Sequence, residues 1–310
     1  MGAQQRIFKQ RIKDTQSTKK ITRAMELIAS SRIVKAQAAV QSTAPYARAL
    51  YNALTLAASH AQVNHTLLTA EEKPKRAAIL VITADRGLAG AYSSNAIKEA
   101  EALAENLRAK DIEPVFFVVG RKGVSFYKFR ERPIADSWVG FSDNPKYANA
   151  KEAAGALLEA YLKPADEGGV DEVHGVYTEF VNRVTQVPRA LQVLPLQVVE
   201  EVVDVSGSHI SGGEEKGGSA AWPLYDFEPD ATTTLDALLP RYIEHLLYVG
   251  MLQSAASEHA ARQRAMKSAT DNAEDLIRRY TRQANQARQA EITQEISEIV
   301  GGADALASTN

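Results

Sequence analysis

The sequence contains no cysteine, which rules out disulfides, thiolate metal sites and thiol nucleophiles. Its six histidines (His60, His65, His174, His209, His245 and His259) form no HExxH and no paired ligand spacing, so no metal site is expected. No stretch reaches the roughly eighteen apolar residues of a membrane span. Met1–Gln10 carries no apolar leader core, so the chain is expected to be cytoplasmic. No GxGxxG and no GxxxxGK[ST] occurs, and no Ser–His–Asp set, lysine nucleophile or carboxylate pair suggests a catalytic centre. Glycine and proline are scarce in one place above all. After Pro240 there is no proline, and Gly250 is the last glycine before Gly301–Gly302.

What fills that stretch, Thr232 to Asp304, is helix-forming. Alanines crowd its middle (Ala255, Ala256, Ala260, Ala261, Ala265, Ala269, Ala273), and summed alanine propensity is informative over so long a window. Such a helix would run about 105 Å, far beyond the three to four turns of an ordinary core helix, and needs a partner along its length. The partner is at the other end of the chain. Gln4 to about Ser59 carries an apolar stripe at helical spacing: Ile7, Ile12, Ile21, Met25, Ile28, and later Leu50 and Leu54. Pro45 is expected to kink or break this helix and Pro240 to bend the other.

Charge supports the pairing. Residues 1–60 hold ten lysines and arginines against Asp14 and Glu26, a net +8, whereas residues 226–310 net −5. Opposed terminal charges favour antiparallel association. A basic arm for nucleic acid competes for residues 1–60, but its charges sit among apolar residues at helical spacing with few aromatics, and no nucleic-acid partner is expected.

Between the helices the pattern changes. AAILVIT (Ala77–Thr83) and VFFVV (Val115–Val119) read as buried strands. Tyr92–Lys110, GVSFYKFRE and Tyr147–Leu162 read as helices, and Asp171–Phe180 and Gln186–Leu196 as two more strands. The alternation predicts an inserted, doubly wound α/β (Rossmann-like) domain with a mostly parallel sheet. The expected organisation is a coiled-coil helix over 1–60, the α/β domain over 75–200, a flexible Gly/Ser loop over 204–222 and a second coiled-coil helix over 226–304. Asp85–Gly90 (DRGLAG) lies at a strand's carboxyl end, where a glycine-rich turn can cradle phosphate. The alternative is a tight turn fixed by an Asp85–Arg86 ion pair. Asp230 or Thr232 is the expected cap of the long helix.

Four separated motifs carry a resemblance over nearly the whole chain: RIKDTQSTKKITRAMELIASSRIVKA (Arg11–Ala36), TADRGLAGAYSSN (Thr83–Asn95), AMKSATDNA (Ala265–Ala273) and ITQEISEIVGGADA (Ile292–Ala305). In these the sequence resembles the gamma subunit of bacterial F-type ATP synthase. The resemblance implies a non-catalytic rotor stalk with no cofactor. Its coiled coil would stand in a ring of three alpha and three beta subunits, and its α/β foot would touch epsilon and the membrane c-ring. The stalk would carry torque between ion flow and ATP chemistry. Attachment would be peripheral, on the cytoplasmic face of the bacterial membrane, with no homo-oligomer formed and the ATP sites on partner subunits. Matched residue by residue, Met25, Arg262, Arg288, Gln289 and Thr293 resemble positions that couple to the alpha/beta ring. Tyr225, Phe227 and Glu228 resemble the foot positions that meet the c-ring and epsilon, with Phe227 standing where tyrosine is often found. The 204–222 loop lacks the cysteines of the chloroplast thiol switch.

Overall fold

A computed structural model describes residues 3–60, 65–164, 167–196 and 230–307. In chain order the elements are α1 (Ala3–His60), β1 (Arg76–Ile82), α2 (Tyr92–Arg108), β2 (Glu113–Val119), α3 (Arg121–Phe129), β3 (Ile134–Trp138), α4 (Tyr147–Leu162), β4 (Glu172–Phe180), β5 (Gln186–Leu194) and α5 (Ala231–Ala307). The chain divides into two units, Met1–Ile28 with Gln263–Asn310, and Ala29–Arg262. The expected loop over 204–222 lies outside the described residues.

In the larger unit the strands form one sheet in the order β3-β2-β1-β4-β5. Strands β1 to β4 pair in parallel, and β5 runs antiparallel on β4. β1 has no polar residue after Arg76 because both its faces are covered. Ala77, Ile79 and Val81 pack with Ala100, Ala104 and Leu107 of α2 and Tyr127 of α3. Ala78, Leu80 and Ile82 face the opposite layer, with Leu157 of α4, Leu50 and Leu54 of α1, and Leu239, Ile243, Leu247 and Met251 of α5. The passage from β2 to α3 demands glycine. At Gly120 φ is +94°, and a Cβ there would lie 2.2 Å from the Thr83 carbonyl oxygen, so no side chain fits.

Of the expected kink or break at Pro45, the break does not occur: α1 runs on through Pro45, and α5 likewise continues through Pro240. Each proline removes one backbone bond, but both helices are packed on the sheet around those positions, with Leu50 and Leu239 buried in one core. β3 was not anticipated from the sequence. Of the two expected caps, Asp230 makes the bond: Thr233 N–H donates to its Oδ1 at 2.8 Å.

In the smaller unit α1 and α5 run antiparallel. Phe8 meets Tyr280, Lys19 pairs with Glu274, and Thr22 with Thr270. Covered positions recur along α1 at Gln5, Phe8, Ile12, Thr15, Lys19, Thr22 and Glu26, with Met25 beside them, and along α5 at Met266, Thr270, Ala273, Ile277, Tyr280, Ala284 and Ala287, flanked by Ala265, Ala269, Glu274 and Leu276. Both series step by three and four, the heptad spacing of a left-handed coiled coil. The covered face therefore matches the stripe read from the sequence only in part, since Leu50 and Leu54 are buried in the larger unit. Ile12 and Met25 are half-covered, but Ile7, Ile21 and Ile28 are exposed at 50%, 59% and 55%. Much of the seam is polar. Its Thr22–Thr270 hydroxyl pair, 2.8 Å apart and buried, is the kind of contact that fixes register at some expense in stability.

Candidate functional site

Two features concentrate side chains able to do work: the carboxyl end of the sheet in the larger unit, and the outer faces of the helices in the smaller one.

At the sheet's carboxyl end, α/β folds usually hold ligands in the crevice beyond the strands. Here Asp85 reaches across that space. Its carboxylate accepts the backbone N–H of Arg121 at 3.1 Å, of Gly140 at 2.8 Å and of Ser142 at 3.0 Å. The Asp85 N–H in turn donates to Ser142 Oγ at 2.8 Å. One side chain thus ties the ends of β1, β2 and β3 together and stands at the start of α3, where a phosphate would otherwise be received. Burial pushes the Asp85 carboxyl up, but the amides of Ser142, Gly140 and Arg121 and the Ser142 hydroxyl outweigh it, and the net shift is downward. The expected Asp85–Arg86 ion pair is not what holds the turn. Arg86 lies 3.8 Å from Asp143, and Asp85 is engaged by amides.

Beside this clamp runs the section of α5 from Met251 to Arg262, buried on every side. Glu258 is fully buried and forms a 2.7 Å ion pair with Arg262, itself 8% exposed. The Arg262 guanidinium also reaches the carbonyls of Arg86 and Gly87 at 3.4 and 3.3 Å. Burial raises the Glu258 pKa against the pull of Arg262. His259 Nε2 donates to the Asp143 carbonyl at 2.9 Å, and the Asp143 carboxylate meets Arg32 of α1 at 2.6 Å. Sequence reasoning picked out Arg262 but missed the rest. Met251–Arg262 (MLQSAASEHAAR) mixes alanine with polar residues and shows no apolar face that would have signalled its enclosure.

His245 and His259 are both held neutral by burial, which lowers their pKa. Unfolded histidine titrates near 6.5, so below that pH the unfolded chain binds protons that the folded one refuses, and stability declines. Glu258, shifted the opposite way, works against this decline. A His245→Leu variant should therefore gain stability relative to the parent as pH is lowered from about 7.5 to about 5.5, as read by urea denaturation at each pH. A gap that stays constant with pH would refute the assignment.

In the smaller unit the surface is the feature. Arg288, Gln289 and Thr293 are exposed on α5, where the Thr293 hydroxyl donates to the Gln289 carbonyl at 2.9 Å. Near them Ile292, Ile296, Ile299 and Val300 are exposed at 46% to 71%. On α1, Ile7, Ile21, Leu27 and Ile28 are likewise outward, and Met25 is half-covered. Apolar residues repeated along exposed helix faces mark an interaction surface. Tyr225, Phe227 and Glu228 lie outside the described residues. Among the described residues, no helix is long and apolar enough to cross a membrane.

Comparison with known proteins decides the family. The family described as ATP synthase matches residues 4–306. The ATP synthase gamma chain of Acidothermus cellulolyticus is 57% identical over 309 residues, covering 100% of this chain and 99% of that protein. The chain belongs to the ATP synthase gamma chain family. The gamma chain of Thermobifida fusca is 54% identical over 310 residues, at 100% and 99% coverage. The fold is similar to a chain in the rotor of the Euglena gracilis mitochondrial ATP synthase, with TM-score 0.60 and 17% identity over 94% of this chain and 100% of that one. A chain from the central stalk and c-ring structure of the Tetrahymena thermophila enzyme matches at TM-score 0.56 and 22% identity, covering 80% and 99%. The protein is accordingly a subunit of an ATP synthase complex.

Proposed function

We propose that the chain is the central rotor stalk of an F-type ATP synthase, transmitting torque between the membrane c-ring and the catalytic ring of three alpha and three beta subunits. The observation that carries this reading is a family likeness over essentially the full length, joined to a heptad-seamed helix pair whose outer faces display apolar residues. In this role the outward isoleucines of α1 and the end of α5 meet alpha and beta subunits, with Met25, Arg288, Gln289 and Thr293 among the contacts. Arg262, buried against Glu258, acts from inside the fold. The α/β domain over 75–200 is the foot, and Tyr225, Phe227 and Glu228 meet the c-ring and epsilon. The stalk itself is non-catalytic, the ATP sites belonging to its partners. It sits peripherally at the cytoplasmic face of the bacterial membrane and is not a homo-oligomer.

A tagged chain expressed with the other subunits should recover alpha, beta and epsilon subunits together; recovery of the chain alone refutes the role. Arg288→Ala and Gln289→Ala should each weaken ATP-driven ion pumping about two- to fivefold while leaving the fold intact, since exposed polar contacts contribute under about 1 kcal/mol each. Undiminished pumping in both variants would remove these residues from the contact.

A further inference from the structure

Strand β4 outruns its neighbour. The parallel pairing of β1 with β4 ends at Val81 and Val176, yet β4 continues to Phe180. The N–H and C=O of one strand residue point to the same side, so at Thr178, opposite Pro188 of β5, neither group is turned toward β5. The buried backbone groups at the end of β4 must find partners elsewhere. They find them on a helix. The Thr178 N–H donates to Ser254 Oγ at 3.1 Å, Ser257 Oγ donates to the Thr178 carbonyl at 3.0 Å, and the Phe180 N–H donates to Gln253 Oε1 at 3.1 Å. Gln253, Ser254 and Ser257 are 3%, 1% and 0% exposed. Three side chains of α5 thus complete the sheet where β1 has stopped. Within the next turn Arg262 holds the carbonyls of Arg86 and Gly87, and His259 holds that of Asp143.

The contact of the preceding turns of α5 with the strands, through Leu239, Ile243, Leu247 and Met251, is apolar and has no preferred direction; the polar contacts of those turns go to Tyr147 of α4 and to His65, not to the sheet. Hydrogen bonds do have a preferred direction. We propose that Gln253, Ser254 and Ser257, backed by His259 and Arg262, are positioning residues that set the rotational angle of α5 on the sheet, so that torque entering through the sheet is carried by the helix. This rests on the rotor reading above. A helix turned by one residue rotates about 100°, which would strip Thr178 and Phe180 of their partners at once. An apolar seat alone would oppose that slip far less.

The test uses the assembled complex in membrane vesicles, comparing ATP hydrolysis with ATP-driven ion pumping. The parent chain must support pumping; if it does not, the rotor reading fails and the joint is not at issue. With Gln253→Leu, Ser254→Ala and Ser257→Ala combined, hydrolysis should stay within about twofold of the parent, while ions pumped per ATP fall about threefold or more. A merely structural role would lower both together. Should the triple variant fail to assemble, Gln253→Leu alone carries the test, with a smaller drop in the same ratio.

The chain supplies its own control. It has no cysteine, and a Cβ on Gly250 lies 3.7 Å from the Tyr177 Cβ, within the range a disulfide spans. Adding Tyr177→Cys and Gly250→Cys permits a bond between β4 and α5, formed when two thiols give two electrons and two protons to diamide. Oxidation should restore the pumping ratio of the uncoupled variant to within about twofold of the parent, and reduction should abolish it again. A variant that pumps like the parent without the three polar side chains, or one that stays uncoupled after the bond has formed, would overturn the proposal.

Discussion

Asp85→Ala should lower the unfolding free energy of the isolated chain by about 3 to 5 kcal/mol at neutral pH, among the largest effects of any single substitution. The carboxylate accepts three backbone amides from two other strand ends, and its side chain is 8% exposed. Hydrogen bonds to a charged acceptor contribute more than neutral ones, and the amides left behind are costly when unpaired. Asp85→Asn keeps an acceptor oxygen but loses the charge, so its loss should be smaller. The sign of the pH dependence follows from the net downward shift. The stabilisation is present above the ordinary carboxylate value of 3.8 and is lost as pH falls through the lower folded value. Denaturant titrations should therefore show the gap between parent and Asp85→Asn wide at neutral pH and closing only below that point. An alanine variant within about 1 kcal/mol of the parent would contradict the clamp.

The second large effect is expected beside the clamp, where Arg262 reaches the carbonyls of Arg86 and Gly87. Arg262→Leu should cost about 3 to 5 kcal/mol, because it strands a buried carboxylate rather than merely losing a contact. Glu258 has no exposure, and among the described residues its Oε2 has no hydrogen-bond partner. Two outcomes separate this mechanism from simple loss of packing. Adding Glu258→Gln should recover much of the loss, since the amide needs no counter-charge. Lowering the pH should also narrow the deficit of the single variant, because burial raises the Glu258 pKa and protonation removes the stranded charge. A thermal-denaturation cycle over the four proteins measures both. If the two substitutions simply add, the pair is not a coupled unit.

How far the sequence foretold the molecule depended on what covers each residue. β1 and β2 were legible because both faces of each are buried, which writes an unbroken apolar run into the chain. β3 was not, because an edge strand of five residues has only Trp138 buried and its centre, Ala135 to Ser137, open. The coiled coil was legible as two helices but only in part in its seam. Gln5, Thr15, Lys19 and Thr22 occupy heptad positions that a search for apolar spacing passes over, whereas Ile7, Ile21 and Ile28 satisfy the search and point outward. Apolar spacing reports every surface a helix must cover, including those that other molecules cover, and one chain cannot separate the two. The joint between α5 and β4 was hidden for a related reason. Serines and a glutamine inside an alanine-rich helix look like solvent-facing residues until the sheet they complete has been placed beside them.

The rotor role is tested most directly by watching the chain turn. The absence of cysteine allows one introduced thiol on the exposed part of the α/β domain to carry a probe, with the complex held to a surface through its alpha or beta subunits. On addition of ATP the probe is predicted to rotate continuously in one direction, at a rate set by hydrolysis. A probe that stays fixed while the immobilised complex hydrolyses ATP would contradict the account.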